Sequence, residues 1–463
     1  MPLSKSPAPP SNTHLTHYKT LGLLLTLYLA QGLPAGFITQ ALPAILREYN
    51  VSLVAIGWSG LILVPWGLKF LWATVVDGYY SQKIGRAKSW ILPMQGLSIV
   101  ILIAVAFFEP HNLAQTRSVM TLYGMLFTLS LIGATHDVAT DGLATRLLKV
   151  AIAPKEPLTH DMPAPDSVTQ TTNHHHRQSQ GNAVQVIGYR LGLIVGGGVL
   201  LMLLEQWGWR NSFLAMAALV AMNTVPIVFF KEHTHTSVIP AKKQVQAAKS
   251  GSLKALKTYL SHHYQYFWSS REMRAWLGVL LTFKIADGIS SGMVKPMMVD
   301  VGLNLQQIGF WATILGSGAS VAGAGVATIL MKRLTRFRSL LYFNLAQALT
   351  TGLYGLVAYG FYHQLLTDFL WLYVVNALEH FCASLALIAM LTTIMHYSRP
   401  VNAGSDFTVQ VCLLTVLGGS AHFASGYMAH FLGYQWHFWV SMLIGFVCLA
   451  PIIYWHKLQN NEK

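Results

Sequence analysis

The residues of this 463-residue chain best suited to chemistry are charged side chains that lie inside long apolar stretches. They form two groups: Lys69, Asp137, Asp141 and Arg190 in the first half of the sequence, and Lys284, Asp287 and Glu379 in the second. An ionised side chain at the centre of a lipid-embedded helix costs about 2.5–3.5 kcal/mol on insertion scales. Such groups persist where they pair or face water, and they commonly mark the path of a substrate or a proton.

The spacing of these residues predicts which of them share a helix face. Asp137 and Asp141 are four residues apart, and Lys284 and Asp287 are three apart, so each pair lies on one face and Lys284 can pair with Asp287. At about 1.5 Å of rise per residue, Lys284, Asp287 and Glu379 lie near the middle of their spans. We interpret these three residues as a midplane cluster that handles substrate or protons.

The group in the first half is expected nearer the cytoplasmic end, and two interpretations stay open for it. It is either an ion-pair network that closes that end or a direct contact for substrate or proton. In the second half, Glu379 has no acidic neighbour on its own helix. We therefore favour Glu379 as a proton carrier, since a carboxyl group buried among apolar helices can load and release protons near neutral pH. The alternative is that Glu379 simply pairs with Lys284.

Long apolar segments must hold these charges in place. Hydrophobic residues make up 53% of the chain and charged residues only 10%, whereas a soluble domain averages about a quarter charged. About 20 apolar residues cross the hydrocarbon core, and backbone groups in lipid must bond within their own segment, so we predict an all-α membrane protein with twelve transmembrane helices. The predicted spans are 20–41, 53–77, 90–108, 119–147, 182–204, 211–230, 274–297, 306–331, 338–361, 367–395, 405–430 and 435–456.

The twelve spans divide into two groups of six. Residues 1–231 form the first six-helix bundle, with a His-rich cytoplasmic loop at 149–181; residues 232–273 form a basic cytoplasmic linker; residues 274–463 form the second bundle. The bundles echo each other, because Ala55-Ile56-Gly57-Trp58 begins span 2 and Gln307-Ile308-Gly309-Phe310 begins span 8. Two matching six-helix bundles are typical of alternating-access transporters.

The distribution of basic residues predicts the orientation. Most Lys and Arg fall in alternate loops, and the opposite loops hold only Arg47, Arg117, Arg210 and Lys295. The positive-inside rule then places both termini in the cytoplasm. The net charge of +14 is explained by this topology and by contact with anionic lipid, so no nucleic-acid partner is expected.

The segment after span 2 runs from Asp77 to Gly85-Arg86-Ala87-Lys88 and resembles the signature loop of the major facilitator superfamily. The resemblance implies that Asp77 caps span 2, and that Arg86 and Lys88 hold a cytoplasmic gate by charge pairing. The acid-to-Gly-Arg spacing is longer here than in the common form of the loop.

A further resemblance covers most of the chain. The motifs Lys69-Phe-Leu-Trp72, His136-Asp137-Val-Ala-Thr-Asp141-Gly142, Gly188-Tyr189-Arg190-Leu-Gly192 and Lys284-Ile-Ala-Asp287 are similar to the branch that holds muropeptide permeases and acetyl-CoA transporters. Within it, the span 4 motif, the start of span 5 and Ser398-Arg399-Pro400 with Asp406 look most like the rhizobactin- and pyochelin-type siderophore permeases.

The resemblance implies a secondary transporter of the inner membrane that imports a siderophore or iron–siderophore complex with protons, with Lys284 and Arg190 meeting the ligand's negative charge. The alternative is a muropeptide permease, and an exporter of the same fold stays open. An enzyme is not expected: His136 and Asp137 are adjacent and point about 100° apart on a helix. We expect no cofactor and no metal site, the proton gradient as driving force, and a monomer whose partners are lipid and a small-molecule substrate.

Overall fold

A computed structural model describes residues 12–113, 115–150, 184–232, 265–399 and 403–461, and these residues form helices with short connections and no strands. The predicted His-rich loop and the basic linker lie mostly outside this described part of the chain. The candidate membrane spans are Tyr18–Glu48, Leu53–Ala73, Lys88–Ala106, Thr116–Ala144, Val184–Phe229, Arg271–Asp300, Leu305–Leu330, Arg336–Tyr362, Leu370–His396 and Asp406–Gln459.

Two of these ten helices each contain two spans. The helix Val184–Phe229 reverses direction at Gly208 (φ 72°, ψ 174°), and Asp406–Gln459 reverses at Gly433 (φ 73°, ψ 165°). A positive φ is readily accessible to glycine but strained for most other residues, which explains why both reversals occur there. The described part of the chain therefore holds twelve spans, numbered 1 to 12 below, with spans 5 and 6 meeting at Gly208 and spans 11 and 12 at Gly433.

Several spans are broken by short irregular segments. Span 1 consists of Asn12–Gly36, a π-helical segment Phe37–Ala41 that follows Pro34, and Leu42–Glu48, so it extends beyond the predicted end at residue 41. Span 2 has a slight break at Lys69, between Val64–Leu68 and Phe70–Gly78, where the backbone angles stay helical (φ −55°, ψ −26°). Span 7 is broken at Lys284, between Arg271–Phe283 and Ile285–Asp300. Further π-helical segments, Ile194–Val199 and Ile308–Ile314, lie in spans 5 and 8.

The two halves repeat their turn geometry at a constant spacing. Asn50 and Gly302 both adopt positive φ, and Ser52 and Asn304 are both side-chain N-caps of the next helix. In each of these pairs the second residue follows the first by 252 positions. The echo expected from sequence motifs thus extends to backbone conformation and capping, as a duplicated bundle requires.

The two ends of the molecule differ. The basic end carries the connections near residues 79–88, 231–232, 332–335 and 397–399, and the far end carries the turns near 49–52, 208, 301–304 and 433. At the far end a single hydrophobic core joins both halves, with Ile56 and Leu201 packed among the same residues as Met293 and Ile308. At the basic end the core divides into one cluster from residues 267–458 and another from residues 23–230. The halves are therefore joined at the far end.

Close backbone packing forms the seam between the halves. A Cβ atom at Gly57 would lie 2.7 Å from the carbonyl oxygen of Phe423, and one at Gly309 would lie 2.5 Å from that of Gly198. These glycines let span 2 approach span 11, and span 8 approach span 5, at backbone distance. Polar contacts strengthen the seam: Trp58 Nε1 donates to Tyr427 Oη at 3.0 Å, Ser59 bonds His422, and Arg47 pairs with Asp300.

Candidate functional site

The first-half group is organised around Asp137. Lys69, at the break in span 2, donates from Nζ to Asp137 Oδ2, and Gln31 of span 1 donates from Nε2 to Asp137 Oδ1. The side chain of Asp137 is 9% exposed, whereas that of Lys69 is 20% exposed. The aspartate thus holds two donors from two other spans, and the lysine keeps a surface that a ligand or water can reach.

Asp141 lies one helical turn further along span 4. Tyr28 Oη donates to its Oδ1 at 2.8 Å, and Gln185 Nε2 donates to the same oxygen at 3.3 Å. Its carboxylate also interacts electrostatically with Asp137 and Lys69. Spans 1, 2, 4 and 5 therefore contribute to two neighbouring hydrogen-bonded sets, one around each carboxylate, that interact electrostatically.

Arg190 is the fourth predicted member, and its surroundings differ from those of the other three. It is half-buried, and within the described ranges its guanidinium makes no hydrogen bond or ion pair. Its charge acts on Tyr189 beside it and on His380, which belongs to span 10 in the other half. A cation that is partly withdrawn from water is stabilised by a nearby anion, and no carboxylate of the described residues pairs with Arg190, so this position suits an anionic group of a ligand.

The structure places Lys284 and Asp287 together around the break in span 7. Lys284 Nζ donates to Asp287 Oδ2 at 2.7 Å, and Gln347 Nε2 of span 9 donates to Asp287 Oδ1 at 2.8 Å. The side chains of Lys284 and Asp287 are 27% and 19% exposed. Because neither is sealed in dry packing, both can meet water or a ligand.

Glu379 of span 10 joins this cluster through the same glutamine. Its carboxylate interacts with the Gln347 side chain and with the charges of Asp287, Lys284 and Lys295. Both interpretations of Glu379 stay open on this geometry, because it is near a second carboxylate and near two lysines. Among the side chains that the structure describes, no three His, Cys, Asp or Glu residues converge to form a metal site.

The predicted gate residues make contacts inside the first half. Lys88 Nζ donates to the carbonyl oxygens of Val228 and Phe230, both at 2.9 Å, and the Arg86 guanidinium lies 5.8 Å from the Tyr80 ring centre. The side chain of Asp77 lies outside the described part of the chain. These contacts tie the connection between spans 2 and 3 to the end of span 6.

A residue that sequence analysis missed completes this end. The carboxylate of Glu232 accepts the backbone N–H groups of Ala87 and Lys88, at distances of 3.0–3.2 Å, and pairs with Arg146 at 3.3 Å. A carboxylate at the N-terminus of the Lys88–Ala106 helix is favourable there. Its position three residues after Phe229, where span 6 ends, could have marked it as a cap.

Sequence analysis also misplaced Lys295. It was counted with the loops opposite the cytoplasm, but it lies inside the helix Ile285–Asp300 and is only 9% exposed. Its Nζ donates to Gln40 Oε1 of span 1 at 2.6 Å. The search for charges also passed over Tyr28, Gln185 and Gln347 as ligand-site residues, because uncharged polar residues in apolar spans carry a weaker signal.

The chain is similar in sequence to proteins that are named as transporters. The family model described as Acetyl-coenzyme A transporter 1 matches residues 20–153. The anhydromuropeptide permease of Escherichia coli K12 is 28% identical over 386 residues, covering 81% of this chain and 68% of the permease. A putative transporter AmpG 4 of Rickettsia felis is 21% identical over 442 residues, covering 94% of this chain and 96% of that protein.

Solved transporter structures share the fold. A crystal structure of a POT family transporter in complex with a thioalcohol-conjugated peptide superposes with a TM-score of 0.63 at 12% identity, covering 95% of this chain and 96% of that one. The named relatives and this structure are transporters, which agrees with the expectation that the chain is not an enzyme. The predicted fold class is confirmed: the chain is a multi-pass membrane protein with the fold of major facilitator superfamily transporters.

Proposed function

We propose that this protein is a proton-coupled permease of the inner membrane that imports anhydromuropeptide-type sugar–peptides by alternating access. The observation that carries the proposal is the pair of partly exposed Lys–Asp sites, Lys69–Asp137 and Lys284–Asp287, each joined by a glutamine amide. The relative that is 28% identical is named as an anhydromuropeptide permease, which supports the same substrate class.

The chemistry of the two sites fits such a ligand. A sugar–peptide presents hydroxyl and amide groups together with carboxylates. Glutamine side chains both donate and accept hydrogen bonds, so Gln31, Gln185 and Gln347 match the hydroxyl and amide groups. The unpaired Arg190 matches a carboxylate, since charge-assisted hydrogen bonds are the stronger kind. Amide side chains lie beside the charges in both halves, with Gln185 bonded to Asp141 and Gln347 bonded to Asp287, which supports a polar, sugar-bearing ligand.

The siderophore interpretation receives no support from the relatives and structures found, so it serves as the comparison substrate in the test. The orientation proposed for the permease keeps both termini in the cytoplasm, which places the basic end there. With the halves joined at the far end, the described conformation then corresponds to an inward-facing state.

Thermal unfolding of the purified protein with each candidate ligand tests the substrate class, because a ligand that binds the native state raises the melting temperature. We expect an anhydromuropeptide to raise it in a concentration-dependent manner and a ferric siderophore to leave it unchanged. Uptake into proteoliposomes with an inward proton gradient is the second measurement. Stabilisation by the siderophore alone, or uptake unaffected by collapse of the gradient, would contradict the proposal.

Matched variants connect the result to the site. Arg190→Gln removes the unpaired cation, and Lys332→Gln removes an exposed cation at the basic end. Only the first is expected to reduce stabilisation by the sugar–peptide, because it weakens binding of the ligand. Equal responses of the two variants would show that the ligand does not bind at Arg190.

A further inference from the structure

Lys295 is a buried cation whose only hydrogen bond within the described residues reaches the other half of the molecule. It is 9% exposed, and its Nζ donates to the neutral Gln40 side chain. A single hydrogen bond to an amide does not offset the burial of an ammonium group, so nearby charge must also hold it. The negative charge that acts on it is that of Glu379 of span 10.

The helix register places Lys295 between the midplane cluster and the seam. It follows Asp287 by eight residues, which is about 12 Å toward the far end along the span 7 helix. Glu379 follows the far-end start of span 10 at Leu370 by nine residues, so its level lies about 14 Å inside the far end. Lys295, five residues from Asp300, is about 8 Å inside that end. Glu379 thus lies at a level between Asp287 and Lys295.

Gln40 is fixed to the first half at the same level. It lies in the π-helical segment Phe37–Ala41 and packs over Gly197 of span 5, where a Cβ atom would come within 2.6 Å of Gln40 Cβ. π-Helical segments are frequently found at functional sites. The Lys295–Gln40 hydrogen bond therefore joins span 7 to the packed pair of spans 1 and 5, in the seam that closes the far end.

The charged and titratable groups around Lys295 and Gln40 determine which of them can compete with Gln40 for the Lys295 ammonium group. Its charge acts on His380 of span 10 and on His422 of span 11. Both residues are half-buried, and His422 hydrogen-bonds Ser59 in the seam. Glu379 in turn is surrounded by Asp287 and Lys284 of span 7 and by Gln347 of span 9. Among these groups Glu379 is the anion that acts on Lys295, while Gln40 is its neutral partner in the other half.

We propose that Lys295 links the charge of Glu379 to the closure of the far end, an inference that rests on the proposed proton-coupled function. When Glu379 is protonated, Lys295 stays on Gln40 and holds the halves together. When Glu379 is ionised, its carboxylate attracts Lys295 back into the second half, and the far end loses one of its ties. Protonation of Glu379 would then favour closing of the far end, as an importer driven by protons requires.

The accessibility of the seam tests this inference without any substrate. Ser59 is 4% exposed and lies in the seam, so a cysteine introduced by Ser59→Cys, in a background with Cys382, Cys412 and Cys448 replaced by alanine, reports opening of the far end to a soluble maleimide. We expect the labelling rate to rise several-fold from acidic to alkaline pH as Glu379 loses its proton. Glu379→Gln should hold the rate low at every pH.

Variants of Lys295 and Gln40, the two residues of the hydrogen bond across the seam, give the decisive comparison. Lys295→Met should make labelling fast and independent of pH, Lys295→Arg should keep the pH response, and Gln40→Glu should slow labelling at every pH by adding a charge pair. Each variant is checked for folding by its melting temperature and gel-filtration profile. A native pH response in Lys295→Met, or in Glu379→Gln, would overturn the inference.

The outcomes separate this inference from the proposed substrate. If labelling at the seam responds to pH through Lys295 but the protein neither binds nor takes up sugar–peptides, the proposed substrate is wrong and the role of Lys295 stands. If sugar–peptide uptake is driven by protons but the seam is labelled equally at every pH, the role proposed for Lys295 is wrong and the proposed substrate stands.

Discussion

Lys69 and Lys284 occupy similar positions, because each lies where two helical segments of its span meet and each pairs with an aspartate. Lys69 reaches across to span 4, whereas Lys284 pairs within its own span. Each half of the molecule therefore carries one basic, partly exposed side chain that is paired with a carboxylate.

Breaking the Lys69–Asp137 pair should destabilise the protein. Lys69→Met leaves the nearly buried Asp137 carboxylate without its cation, and removal of one partner of a buried pair typically costs about 3–5 kcal/mol. We expect a lower melting temperature and loss of uptake. The double variant Lys69→Met/Asp137→Asn should recover most of the melting temperature without recovering uptake. If the double variant transported normally, the pair would be structural only.

Glu379→Gln should separate exchange from driven transport. A neutral side chain of nearly the same shape keeps the contact with Gln347 but cannot bind or release a proton. We expect concentrative uptake driven by a proton gradient to be lost, while exchange of labelled for unlabelled substrate across the membrane continues. Both assays use the same proteoliposomes. Retention of gradient-driven uptake would exclude Glu379 as the proton carrier and favour a simple pairing with lysine.

Arg190 should discriminate between substrates by their charge. Loss of a hydrogen bond to a charged group typically costs about 1.5–3 kcal/mol, so Arg190→Gln should weaken binding of a carboxylate-bearing sugar–peptide by roughly tenfold to a hundredfold. An analogue in which the peptide carboxylates are amidated should bind the parent and the variant with similar affinity. Titration calorimetry on both proteins gives the comparison. Equal losses for the two ligands would indicate a positional effect rather than a charge contact.

Adding one methyl group at a seam glycine should disrupt the packing between the two halves. A Cβ at Gly57 would lie 2.7 Å from the carbonyl oxygen of Phe423 and 2.9 Å from Gly426 Cα, and both of these are backbone atoms that cannot easily move aside. Gly57→Ala is therefore expected to hold the far end open, with faster labelling of the Ser59→Cys reporter and slower uptake. Gly124→Ala is the matched control, because nothing lies within 4 Å of the added atom. Similar effects of both substitutions would place the cause in general helix stability.

The sequence predicted the spans and the paired charges well, because both follow from local rules. Hydrophobic length marks a membrane helix, and a spacing of three residues places Lys284 beside Asp287. The breaks at Lys69 and Lys284 could not be predicted in the same way. Lys69 follows Pro65 and Gly67, which favour an irregular segment, but no such residue precedes Lys284 within its last turn.

The partners of the charges were the least predictable feature. Gln347 bonds Asp287 across 60 positions, and Gln40 bonds Lys295 across 255. Helix periodicity gives the face on which a residue lies but not which span packs against that face. Lys295 illustrates the limit, since a lysine five residues from a helix end is expected to extend its charge to the aqueous boundary, and here it turns inward to Gln40.

The reversals at Gly208 and Gly433 leave no slack between the helices they join. Span 5 touches span 8 in the seam, and its immediate continuation, span 6, presents Val225, Val228 and Phe229 outward. Because no flexible loop separates spans 5 and 6, we expect the two helices to move together, so a displacement of span 5 at the seam also displaces the lipid-facing surface of span 6. The surrounding lipid must then rearrange in every transport cycle.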